Sequence, residues 1–91
     1  MHPDLRSTLT ALTDEDASVR LVGLYVEDAI YRRRFGTVRL SFAQIAEGAG
    51  VHADTSYRAV HRLMQIGFLQ RVKTGGRHNA SVYAMSGRSQ E

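Results

Sequence analysis

Apolar residues recur along this chain with two spacings, one close to 3.6 and one of 2, and the switches between them mark out the elements. Leu5, Leu9 and Leu12 follow Pro3 at helical intervals and predict a short helix over residues 4–12, too short to be stable alone. Thr13 before Asp14, Glu15 and Asp16 has the form of an N-cap with carboxylates in the first turn, where the helix dipole favours them. Val19, Val22, Val26, Ala29 and Ile30 then form one stripe, and the helix is expected to run for roughly 21 residues, about 30 Å, to Arg34 before Gly36 ends it. Away from that stripe stand Leu24 and Tyr31, with Leu21 intermediate. Either the leucines at 5, 9 and 12 cover them within the chain, or they meet a second subunit.

Residues 37–41 alternate Val38 and Leu40 with polar neighbours and predict a short strand with one inward face. Ser41, with Gln44 three residues on, forms the pattern of a capping box. Phe42, Ile45, Ala46 and Ala49 lie on one side of the helix that follows, and Gly48 and Gly50 suit its exit through a left-handed conformation. A second helix places Ser56, Ala59, Val60, Leu63 and Gly67 on one stripe with Met64 at its edge. Asp54, Arg58, His61, Arg62 and Gln65 project from its opposite side. Two strand-like runs, FLQRVK and ASVYAM, flank TGGRHN, whose glycines supply a turn. The expected fold is α+β in the order α-α-β-α-α-β-β, one domain over residues 1–91. It comprises N-terminal helices (1–34), a helix-turn-helix (41–67), a wing hairpin (68–85) and a tail (86–91).

Two helices joined by a short turn containing glycine describe a helix-turn-helix, whose second helix enters the DNA major groove. The run AEGAGVHADTSYRAVHRLMQIGFL resembles the centre of the winged helix-turn-helix DNA-binding proteins. An alanine in the first helix, Gly-Val in the turn, then Thr, Arg and Leu along the recognition helix and Gly-aromatic-aliphatic after it carry the resemblance, which covers about residues 37–85. The likeness implies a winged helix and double-stranded DNA as partner. His52 stands where the family usually has a small hydroxyl residue, so Asp54 offers itself as the better cap. Ser56 replaces a position often apolar, implying a looser core contact.

Charge sharpens this picture. The formal net charge is +3 and the sequence pI is 9.8, but the distribution is uneven. Residues 1–31 hold two basic against six acidic residues, a balance of −4, and residues 32–91 hold ten against three, +7. Such asymmetry suits one end facing phosphates and the other, acidic end lying away from DNA. With no cysteine there is no disulfide or thiolate site. No apolar run is long enough for a membrane span and no signal peptide is legible, so a cytoplasmic protein is expected. His2, His52, His61 and His78 form no i, i+4 pair, so no metal is expected. GAG lacks the preceding strand and following Gly-Lys-Ser/Thr of a phosphate loop. Neither an enzyme, a cofactor nor a small-molecule ligand is indicated.

Roles follow from residue type. Arg58, about one to two turns into the second motif helix, has the planar fork that pairs with guanine O6 and N7. Thr55 and Ser56 lie near the helix N-terminus, where hydroxyl and backbone N–H groups suit phosphate. Arg62, Arg71, Lys73 and Arg77 are expected to neutralise phosphates, Arg77 alternatively entering the minor groove from the wing tip beside His78. His61 shares the outward face. Tyr57 is expected either against sugar and phosphate or packed in the fold, and Asp54 either caps the helix or accepts from cytosine N4. Arg32, Arg33 and Arg34 either complement the helix dipole or touch phosphate. Leu5, Leu9, Leu12, Leu24 and Tyr31 are the candidate homodimer contacts. The expected function is sequence-specific DNA binding, as a transcriptional regulator. The wing ending GGRHNASVY also resembles that of phage and plasmid replication proteins, and a third reading is a winged helix used for protein–protein interaction.

Overall fold

The computed structural model describes residues 12, 15–33, 36–75 and 80–86. Among them the chain forms α1 (Ala17–Tyr31), β1 (Thr37–Leu40), α2 (Phe42–Ala49), α3 (Ala53–Gln65), β2 (Leu69–Lys73) and β3 (Ser81–Met85). The fold is α+β, three helices against a three-stranded antiparallel sheet of order β1-β3-β2. Of the expected helix over residues 4–12 only Leu12 is described, and it sits in a turn, so the described order is α-β-α-α-β-β.

The first long helix is shorter than its periodicity suggested. It has 15 residues and Asp16 at its N-cap, with no side-chain cap bond. Thr13, the expected cap, and Asp14 lie outside the described residues. Glu15 precedes the helix because the Glu15 N–H donates to the Leu12 carbonyl at 3.1 Å in a turn, while its carboxylate is drawn to Arg62 of α3. At the other end Arg32 is the C-cap and donates to Asp28 one turn back at 2.7 Å. Arg33 therefore lies beyond the helix, and Arg34 is outside the described residues.

Val19, Val22, Val26 and Ile30 of α1 are buried as their stripe requires. They meet Ile45 of α2, Ala59, Val60 and Leu63 of α3, and Val38, Leu40, Leu69 and Tyr83 of the sheet. Leu12 joins this core at 0 % exposure. It is an intrachain packing residue, which corrects its expected place among the homodimer contacts. Gly23 makes room for it, since a Cβ there would stand 2.8 Å from the Leu12 Cδ1.

Two local devices bound α2. Ser41 and Gln44 form the expected capping box, each accepting from the other's backbone N–H at 3.1 and 2.8 Å. Gly50 ends α2 in the left-handed region at φ 75°, a conformation that glycine adopts without steric penalty. Gly48 has a different reason from the one its sequence position suggested: the Tyr25 ring of α1 lies over it, where a Cβ would come within 2.3 Å of ring carbon. In the β2–β3 pair, Arg71 faces Tyr83 and Lys73 faces Val82, so Val72 is an extra residue in a bulge that twists the ribbon. The hairpin connection over residues 76–79 is outside the described residues.

Candidate nucleic-acid interface

Helix α3 is amphipathic, with one side buried in the fold and the other exposed. Ser56, Ala59, Val60 and Leu63 are buried, while Asp54, Tyr57, Arg58, His61, Arg62 and Gln65 are exposed. His52 occupies the N-cap position in extended backbone without a side-chain cap bond. Asp54 is therefore not the cap: it stands exposed in the first turn, where its charge complements the dipole.

Ser56 is corrected more thoroughly. Its residue is 0 % exposed, and its hydroxyl lies 2.7 Å from the Ala53 carbonyl and 3.0 Å from the Phe42 carbonyl. The side chain that was expected on phosphate ties the two motif helices together instead, and the contact is tight where looseness was anticipated. A hydroxyl four residues into a helix points along the buried stripe, and burial is tolerable because its single O–H has two carbonyls within reach to accept it.

The outward face divides into two flanks. On one, the Tyr57 ring meets Phe42 edge-on at 5.2 Å, and the His61 ring lies 4.4 Å from Tyr57. Tyr57 is packed on one edge, as one of its two expected readings has it, and is still 51 % exposed. On the other flank Thr55, Arg58 and Arg62 line a groove of about 540 Å³ with Glu15, Asp16 and Ser18. Here Arg62 is engaged: it donates to both carboxylate oxygens of Glu15 at 2.8 and 3.1 Å, and reaches Gln65 at 3.4 Å. That fork holds the Glu15 carboxyl below its ordinary value of 4.5 and raises Arg62 further. Acidic residues of the N-terminal half therefore border the outward face of α3, contrary to the expectation that they lie on the far side.

The sheet contributes cations from β2. Lys73 is exposed at the strand's end, and Arg71 is half-buried with its guanidinium 3.9 Å from the Met64 sulfur. Burial pushes the adjacent Tyr83 hydroxyl up, opposed by the Arg71 charge and a Ser81 hydrogen bond. Arg77 and His78 lie outside the described residues, as do Leu5 and Leu9. Among the described residues no three His, Cys, Asp or Glu side chains are grouped to hold a metal ion, and no helix is long and apolar enough to cross a membrane. The residue that sequence reading missed is Glu15, whose partner is 47 positions away and follows no local rule. Comparison with protein families, with curated proteins and with solved structures finds no match to this chain.

Proposed function

We propose that this chain is a winged helix-turn-helix protein that binds double-stranded DNA sequence-specifically as a transcriptional regulator. The observation that carries the reading is the exposed face of α3, where Asp54, Arg58, His61 and Gln65 stand clear of a helix whose opposite stripe is buried. In this reading α3 lies in the major groove, Arg58 pairs with a guanine, Thr55 approaches phosphate and the β2–β3 hairpin is the wing, with Lys73 and Arg71 toward the backbone. The +7 balance of residues 32–91 supports it. The decisive measurement is duplex affinity against salt. About 5 to 7 phosphate contacts per subunit imply a slope of log affinity on log salt of about −4 to −6, and a flat dependence overturns DNA binding in favour of a protein-interaction role.

A homodimer through α1 belongs to the same proposal, because one short half-site gives too little discrimination. Leu21 and Tyr31 are 48 % and 37 % exposed on this helix, and Leu24 is half-buried. Substituting Leu21→Asp with Tyr31→Asp is expected to leave a folded monomer with weaker DNA binding. Sedimentation showing the unmodified chain monomeric at high micromolar concentration, free and on DNA, overturns the dimer alone.

A further inference from the structure

The outward face of α3 is half ionic and half aromatic, and the aromatic half is dominated by ring surface. Tyr57 is held by the edge of the Phe42 ring at 5.2 Å on one side and by the His61 ring at 4.4 Å on the other. Three rings in a row restrain each other, so the half-exposed Tyr57 presents a fixed apolar surface next in sequence to Arg58. Within the major groove every base edge offers polar atoms except one feature, the C5-methyl group carried by thymine. The face of an aromatic ring placed there finds its one apolar match on a base edge in that methyl group.

We propose that Tyr57, supported by Phe42 and His61, is a specificity-determining residue that selects a 5-methylpyrimidine beside the guanine read by Arg58. This rests on the duplex-binding reading above. Because thymine and 5-methylcytosine present the same methyl group at the same place, the site tolerates either and discriminates against uracil and unmethylated cytosine.

The test takes a duplex selected from a random pool and replaces each thymine singly by deoxyuridine, which removes the methyl group and nothing else. At one position next to the essential guanine, affinity is expected to fall about three- to fivefold, the worth of one buried methyl. 5-Methylcytosine at that position, paired with guanine, is expected to bind about three- to fivefold better than cytosine. Tyr57→Ser is expected to abolish both differences while Tyr57→Phe keeps them. Since Tyr57 is half-exposed, a thermal melt of the serine variant checks that the fold is intact, and Phe42→Leu provides a second variant that blunts the discrimination by releasing the ring. Deoxyuridine equal to thymine at every position, with salt-dependent duplex binding intact, overturns methyl selection alone. Absence of any salt-dependent duplex binding overturns the underlying reading instead, so the two failures are distinct.

Discussion

Glu15 and Arg62 are 47 positions apart in the chain, yet both carboxylate oxygens of the first accept from the guanidinium of the second at 2.8 and 3.1 Å. Glu15 is nearly covered, with 13 % of its side chain exposed against 46 % for Arg62. The pair fastens the turn before α1 to the flank of α3. It also engages a cation that sequence position alone would assign to phosphate.

The pH dependence follows from the lowered carboxyl. A group whose folded pKa lies below its unfolded value stabilises the fold above that unfolded value, and the contribution is lost as pH falls through the folded one. Thermal melts between pH 7 and pH 3 are expected to show the unmodified chain losing stability below about pH 4.5. Glu15→Gln should be less stable at pH 7 and flatter across that range. Identical profiles for the two proteins would remove the ion pair from the stability of the fold.

Arg58 and Lys73 are expected to separate specific from general contacts. Arg58→Ala should cost about 1 to 3 kcal/mol on a preferred site and relax one base pair, whereas Lys73→Ala weakens all duplexes alike and reduces the salt slope by about 1. Arg62→Ala should cost less than Arg58→Ala on that site, because Glu15 already holds the guanidinium. Equal losses on specific and random DNA from the first two would show that α3 is not the recognition helix.

Ser56→Ala is expected to destabilise the fold by about 1 to 2 kcal/mol, since it takes away a buried donor shared by two carbonyls. Under conditions where the variant is folded, duplex affinity should be unchanged. A denaturant melt checks the first statement and anisotropy the second. Loss of affinity without loss of stability would return Ser56 to the interface.

Gly48→Ala opposes two effects of known sign. Alanine is the better helix former by about 1 kcal/mol, but its Cβ would strike the Tyr25 ring. The single substitution is expected to lower the melting temperature, and relative to Tyr25→Leu alone the added Gly48→Ala is expected to raise it. If the glycine substitution lowers stability equally in both backgrounds, close ring approach is not what the position requires.

Periodicity and cap chemistry determined much of this protein from its sequence alone. The α1 stripe of Val19, Val22, Val26 and Ile30, the Ser41–Gln44 capping box, the left-handed Gly50 and the buried stripe of α3 are all set by residues within a turn or two of one another. Local geometry is what a sequence pattern encodes, because 3.6- and 2-residue spacing decides which side chains share a face. Tertiary structure alone decided the rest. Whether Glu15 opens a helix or clasps Arg62, whether Ser56 touches solvent or the Phe42 carbonyl, and whether Leu12 serves a partner or the core of its own chain are contests between local preference and distant neighbours. Gly48 shows the same division: its composition suggested a helix exit, but the Tyr25 ring packed over it supplied the reason. Such outcomes depend on which surfaces meet after the chain has collapsed, and contacts between residues far apart in sequence leave no periodic signal.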